Sequence, residues 1–446
     1  MRILLTSNAP YLPPRGGSTR SNLAFLEALA AHGHTVRVVA AAAETTTELQ
    51  RTLLRQELAE QQLEPGYVRK LEQQPTSTGH LGTIEIVSVR DFMRHVDLLH
   101  DQIEQFRPDW VLVSSEDVSH TLLREAARSA AGRLIYIAHT PQFFPFGPAS
   151  WNRDEMATGA VRKATSIVVI SQVMANYVKE HLGRDAVIVH PPLYGPEAAS
   201  DASPLLGDFE SGAVGMINPC AVKGISLFLA IADLMPGYRF AALPGWGTTR
   251  DDFGQLRSRP NIAVLPRVKH IEEFLQRLRI LLMPSLWIEG FGLIAAEAML
   301  RGVPVIASDS GGLREAKAGS RFLIPVRLID SYEPVFDDRH MPRPHLPAQD
   351  SAPWAAGVRA LSEDKARYQE EQRAQQEAAL RFVRGLDRFA FEKLLLGLAP
   401  DRGKGTPSKP ALNQDADLHR SLDSLSDNKR TLLLKRLRRR QPAGHG

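Results

Sequence analysis

Two carboxylates frame the stretch IEGFGLIAAE, from Ile288 to Glu297. Glu289 is followed by Gly290 and Gly292, and Glu297 lies beyond an apolar run. Such a pair suggests either hydrolysis across one bond or a grip on two parts of a longer ligand. A hydrolytic pair needs carboxyl groups roughly 5–10 Å apart. Gly290 and Gly292 argue against a helix through Glu289, so PSLWIEGFG reads as a strand end and a tight loop. A helix then begins near Leu293 and carries Glu297 about one turn in. A wholly helical stretch would separate the two Cα atoms by roughly 12 Å. The spacing therefore favours two grips on one long ligand. The N–H groups of Phe291, Gly292 and Leu293 open that helix, and a helix N-terminus favours an anion. An acid stabilising its helix dipole would explain either glutamate alone, but not both together with the glycines.

Three other stretches carry chemistry. INPCAVKGISLFLAIA (217–232) follows a strand and opens a helix, so Lys223-Gly224 at the turn can meet a diphosphate, with the lysine as a point charge. A solvated lysine is the plainer reading. In PYLPPRGGSTRSNLAFLEALAAHGHTV (10–36), Gly16-Gly17 leads into a helix that Ser18 or Thr19 can cap. The dinucleotide pattern G-x-G-x-x-G is absent there. The two glycines mark either a tight turn or a close backbone approach to a ligand. In YIAHTPQFFPFGP (136–148), His139 ends a buried strand before a loop rich in Pro and Phe, which suits an acceptor pocket or a structural histidine.

The elements that must position these residues are an alternation of apolar strands and helices. RILLTS (2–7), TVRVVAA (35–41), TIEIVSV (83–89), DWVLVSS (109–115), RLIYIAH (133–139), SIVVIS (166–171) and AVIVHPP (186–192) form one series. FESGAVGMIN (209–218), YRFAALPG (238–245), NIAVLP (261–266), ILLMPS (280–285), VPVIAS (303–308) and SRFLIP (320–325) form another. Val- and Ile-rich runs spaced by helices predict parallel sheets covered on both faces. The fold class is α/β, with two facing doubly wound domains over 1–195 and 205–375 and a cleft between them. A linker over 191–208 joins them, and a C-terminal helix at about 378–398 packs back on the first. Residues 44–75 read as an insertion on the N-terminal domain, 327–354 as a long irregular loop, and 355–398 as a helical run.

Composition narrows the function classes. The chain has 446 residues, 43% of them hydrophobic, which suits two or three domains. A lone cysteine, Cys220, rules out an internal disulfide framework and fits a reducing cytoplasm. The apolar core near the start is too short for a signal peptide, and no stretch approaches a membrane span. Residues 401–446 hold 11 Lys and Arg against 5 Asp, leaving 43 basic and 45 acidic residues in the first 400. The body gives little support to nucleic-acid binding, because the basicity is a tail. Residues 400–446 read as a flexible basic tail with a short amphipathic helix at 425–440.

At this point the residues resemble a known family. PSLWIEGFGLIAAEAMLRGVPVIASDSGGLREA (284–316) is similar to the E-x7-E region of retaining, nucleotide-sugar-dependent glycosyltransferases of family 4, with the GT-B fold. Glu289, Gly290, Phe291, Gly292, Glu297, Gly302, Pro304 and Gly311-Gly312 fall at the family's spacings, and the overall pattern covers about 1–395. The resemblance implies a cleft binding a nucleoside-diphosphate sugar and a hydroxyl acceptor (a glycan, lipid or peptide), with no cofactor and no catalytic metal. No D-x-D pair occupies a suitable loop. It would place Glu289 at the donor sugar, Glu297 on the ribose hydroxyls, Lys223 on the diphosphate and His139 beside the sugar. The amides after Glu289 would hold sugar and phosphate oxygens, Gly16 and Gly17 would approach phosphate and acceptor, Gly224 would share the phosphate turn, and the backbone around Val268 would border the base. The family often has an arginine five residues before the lysine; here Asn218 stands there, an amide donor without charge. LSDNKRTLLLKRLRRR (425–440) resembles a helix found beside domains of nonribosomal peptide synthetases, which hints at natural-product glycosylation; contact with a membrane or an acidic surface is the other reading. An epimerase or hydrolase of the same architecture and a non-catalytic nucleotide-sugar binder remain open beside the transferase.

Overall fold

Every run of the first series enters one eight-stranded sheet. The computed structural model describes residues 1–14, 16–43, 54, 58, 73–191, 205–268 and 270–398. The strands are β1 (Arg2–Pro10), β2 (Thr35–Ala41), β3 (Thr76–Leu81), β4 (Ile84–Val89), β5 (Trp110–Ser114), β6 (Leu134–Ala138), β7 (Ser166–Val169) and β8 (Val187–Ile188). They lie in the order β3-β4-β2-β1-β5-β6-β7-β8. All neighbours are parallel except β3 and β4. Side chains alternate between faces along a strand. Ile3 and Leu5 accordingly join one core with Val36, Val38, Trp110 and Leu112, while Leu4 joins the other with Val39, Val111 and Val113.

The second sheet contains β9 (Ala213–Ile217), β10 (Phe240–Leu243), β11 (Ile262–Val264), β12 (Leu278–Met283), β13 (Val305–Ser308) and β14 (Leu323–Ile324). Its order is β11-β10-β9-β12-β13-β14, all parallel. Counted within the domain this is 3-2-1-4-5-6, a doubly wound sheet. Its winding reverses between β9 and β12, and in the first sheet between β1 and β5. Ligands in such sheets sit outside the carboxyl ends of the strands at that reversal. The loops after these four strands carry Asn218 and Lys223, Ser285 and Glu289, Gly16 and Gly17, and Ser115 and Glu116.

The C-terminal helices divide between the domains. Helix Lys365–Arg384 buries Tyr368, Ala378, Ala379 and Val383 against the second domain. Helix Ala390–Gly397 places Phe391 and Leu395 in the first domain's core, where the Phe391 ring stacks on Phe25 at 4.8 Å. The expected helical run 355–398 is therefore three helices, beginning with Ala352–Ser362, which has Pro353 in its first turn. Pro is tolerated there because that N–H has no helical partner.

Two further sequence expectations are corrected. The strand β3 was missed: TSTGHL is polar, and as an antiparallel edge strand it alternates between buried and exposed positions. The stretch 327–354 is not wholly irregular, because β15 (Tyr332–Phe336) and β16 (Pro342–Pro344) pair as an antiparallel hairpin. Its prolines hid it, since proline in a strand is restricted to edges and bulges. Most of the proposed insertion at 44–75, most of the 191–208 linker and the basic tail lie outside the described residues. No described helix is long and apolar enough to cross a membrane.

Candidate functional site

Glu289 lies in the loop after β12, and its side chain is drawn inward. Its Oε1 accepts from the Lys223 ammonium at 2.5 Å and from Ser285 Oγ at 2.5 Å. Burial alone would raise the Glu289 carboxyl; the Lys223 charge, with hydrogen bonds from Lys223 and Ser285, outweighs it and holds the group below the ordinary carboxylate value. Glu289 is therefore ionised at neutral pH despite being 5% exposed.

Backbone geometry fixes that loop. The Glu289 carbonyl accepts from Gly312 N at 2.8 Å, tying it to the turn after β13. Lys223 arrives on a single 3-10 turn, Ala221–Lys223, after β9. Gly224 ends that turn at φ 82°, and a Cβ there would stand 1.8 Å from the Pro284 carbonyl oxygen. Only glycine meets both conditions. The Lys223 ammonium also lies 4.5 Å from the Trp287 ring centroid, a cation–π contact. Trp287 is flanked by Trp151 of the first domain and by Trp246.

Helix Leu293–Leu300 begins where the sequence expects it, with Gly292 as its N-cap and Phe291 buried just before. Glu297 is 2% exposed on this helix. It is not open to the cleft: Arg20, in the first turn of helix Gly17–Ala31, places Nη2 2.7 Å from Glu297 Oε1 and Nη1 3.4 Å from Oε2. This fork joins the two domains. Leu293 also approaches the first domain, its Cδ1 lying 3.6 Å from a Cβ built on Gly17. Around Gly16 a Cβ would meet nothing among the described residues within 4 Å.

His139 follows β6 and meets the same region from the other side. A Cβ on Gly290 would lie 2.1 Å from the His139 carbonyl oxygen, so the two backbones nearly touch. Ser171 Oγ donates to the Gly290 carbonyl at 2.6 Å. The His139 ring is 2% exposed, with Nε2 2.9 Å from Asn22 Oδ1 and Nδ1 without a partner among the described residues. Burial lowers its pKa against the opposing attraction of Glu116, so the ring is neutral at pH 7. Asn22 in turn donates to Tyr11 and Ser114, at 2.9 and 2.8 Å.

Asn218 takes a left-handed backbone at φ 54°. Its Oδ1 accepts from Gly247 N at 2.8 Å, and its buried Nδ2 has no partner among the described residues. Val268 follows β11 and packs partly buried on the second domain's core. The structure thus gathers Glu289, Lys223, Gly224, Gly290, Phe291 and His139 at one meeting of the domains, with Gly17, Leu293 and Glu297 at an adjacent contact. Among the described residues no group of three or more His, Cys, Asp or Glu is arranged to hold a metal ion.

Sequence reasoning missed Arg20, Asn22, Ser285 and Glu116. A signal existed for each: Arg20 and Asn22 fall in the opening turns of the helix after Gly16-Gly17, and Ser285 and Glu116 lie just beyond the apolar runs of β12 and β5.

The comparisons with known proteins bear on the family and the fold. The family model described as Glycosyltransferase Family 4 matches residues 15–193, and that described as Glycosyl transferases group 1 matches 210–332. No curated protein gives a significant sequence match. Among solved structures, the chain is similar to sucrose-phosphate synthase from Thermosynechococcus elongatus, with TM-score 0.60 and 15% identity over 96% of this chain and 100% of that one. It is similar to S. aureus TarM, in complex with fondaparinux, alpha-GlcNAc-glycerol and UDP, with TM-score 0.59 and 10% identity over 89% and 99%. Anabaena HepE in complex with UDP matches with TM-score 0.56 and 16% identity over 89% and 99%. At these identities the structural likeness concerns the fold.

Proposed function

This chain belongs to glycosyltransferase family 4 and has the GT-B fold, and from that premise we propose that it is a retaining, metal-independent transferase. The donor is a nucleoside-diphosphate sugar and the acceptor a hydroxyl group. One observation supports this most strongly: an ionised Glu289, paired with Lys223, lies at the winding reversal of the second sheet, where Gly290 meets His139 of the first.

In this reading the diphosphate lies over the turn after β9. The Lys223 ammonium neutralises charge that grows on the leaving oxygen, which is where such stabilisation lowers a barrier most. Glu289 faces the sugar, and Glu297 accepts from the ribose hydroxyls. Neutral His139 orients the sugar through Nδ1. As the glycosidic bond to phosphate lengthens, the sugar gains oxocarbenium character. The acceptor hydroxyl attacks from the face the diphosphate leaves, its proton passes to a leaving phosphate oxygen, and the anomeric configuration is retained. Positioning supplies the rest of the rate.

The test begins with a thermal-shift panel of UDP, GDP, ADP, CDP and dTDP, since a ligand bound only by the folded state raises the melting temperature. UDP comes first because the similar HepE and TarM structures hold it. The matching nucleotide sugars are then incubated with and without acceptor hydroxyls. Free sugar or an epimer formed from donor alone points to a hydrolase or epimerase, and no shift by any nucleotide overturns the reading. Turnover that EDTA abolishes and magnesium restores overturns metal independence.

A further inference from the structure

Asn218 leaves the donor's diphosphate short of charge. An amide can donate to a phosphate oxygen but cannot neutralise it. Lys223 supplies one positive charge and is shared with Glu289. Arg20 is paired with the second glutamate of the motif, at 2.7 Å. Its side chain is 47% exposed, while that of Glu297, which it forks, is 3% exposed. A buried carboxylate stripped of its donors is costly, so Glu297 must keep partners at all times. In the free protein Arg20 provides them.

Building on the proposed function, we propose that Arg20 is a donor-binding residue, held on Glu297 until a ribose releases it, and that it then supplies the second positive charge to the diphosphate. The exchange balances. Two ribose hydroxyls can donate to the two oxygens that Arg20 now occupies, so Glu297 stays satisfied. The freed guanidinium is a rigid fork of five donors that matches phosphate geometry. It needs no long journey, because ribose and phosphate are adjacent in the ligand and Arg20 springs from the first turn after Gly17. The role left vacant by Asn218 in one domain is thus filled from the other. The exchange also makes donor binding report to the first domain, because releasing Glu297 removes an inter-domain fork.

The experiment compares the wild-type chain with Arg20→Gln and Arg20→Lys by calorimetric titration. The ligands are the nucleoside diphosphate that shifts the wild type most and its nucleoside monophosphate. The expected result for Arg20→Gln is a diphosphate affinity at least roughly fivefold weaker, with monophosphate affinity unchanged or improved. Arg20→Lys should recover part of the loss. Melting temperatures identify a variant that fails to fold, and the lysine variant then carries the comparison. Equal weakening of both ligands assigns Arg20 a structural role and overturns the proposal. Tighter diphosphate binding without Arg20 makes it a mere competitor for Glu297 and also overturns it. Failure of the wild type to bind any diphosphate sinks the proposed function, and the role of Arg20 with it.

Discussion

The Lys223 ammonium lies 2.5 Å from Oε1 of Glu289, joining the loop after β9 to the loop after β12 across the winding reversal of the second sheet. Removing the lysine leaves a buried carboxylate unpaired, and breaking such a pair from one side costs on the order of 3 kcal/mol. Lys223→Met should therefore lower the melting temperature, and adding Glu289→Gln should restore part of it. Transfer should fall by roughly tenfold or more in each single variant. Near-additive melting shifts in the double variant, or unimpaired turnover in either single one, would count against the pairing.

Acid should weaken the fold in two windows. Burial lowers the pKa of His95, to about 4, and also lowers those of His120 and His139. The unfolded chain binds these protons first, so their contribution is present above pH about 6.5 and is lost as pH falls toward the folded values. For His95 alone the span is worth about 3 kcal/mol. The Glu289 carboxyl is depressed instead, so its contribution is intact above its unfolded value of 4.5 and drains away below it. Melting temperature against pH should bend downward near pH about 6.5 and again below about 4.5. In Glu289→Gln the second bend should shrink. A flat profile between pH about 7 and 5 would contradict the first assignment.

Gly290→Ala tests the meeting of the domains. The added Cβ collides with the His139 carbonyl, a backbone atom that cannot swing away. Transfer should drop roughly tenfold or more through misplacement of the reacting groups. In the proposed reading the base and ribose contacts come from the second domain, so nucleoside-monophosphate affinity should change much less. Small-angle scattering should show a more extended particle. A compact variant with normal turnover would show that the backbones need not approach.

The helix Ala390–Gly397 should be worth measuring by a single truncation. Phe391 is 2% exposed and stacked on Phe25, and a buried Phe→Ala change costs about 3–5 kcal/mol. Phe391→Ala should destabilise the first domain preferentially. Hydrogen exchange resolves this: protection should fall in helix Gly17–Ala31 and β2 more than in β9 or β12. Uniform loss across both domains would mean the two unfold as one unit.

The sequence carried its strongest information where chemistry and local geometry coincide. Glu289, Lys223 and His139 each follow an apolar strand, so their placement at carboxyl ends was legible from short runs alone, as was the helix start at Leu293. The six strands of the second sheet were legible for the same reason. Arg20 was not, because its partner lies 277 positions away and the pairing exists only once two domains face each other. Asn22 was hidden likewise, since its partners Tyr11, Ser114 and His139 come from three different loops and strands. The hairpin of β15 and β16 was concealed by prolines that forbid a central strand but permit an edge. β3 was concealed by polarity, because half of an edge strand faces water.

The chain returns to its first domain through five residues, 385–389, between helix Lys365–Arg384 and helix Ala390–Gly397. Each helix is anchored in a different core. So short a tether acts as a pivot: neither domain can translate far from the other, and parting them must be largely a rotation about that point. Displacement then grows with lever arm, leaving contacts beside the pivot almost still while distant ones sweep widely. The fluorescence distance between labels placed far from 385–389 on the two domains should therefore be the most sensitive readout of ligand-driven motion.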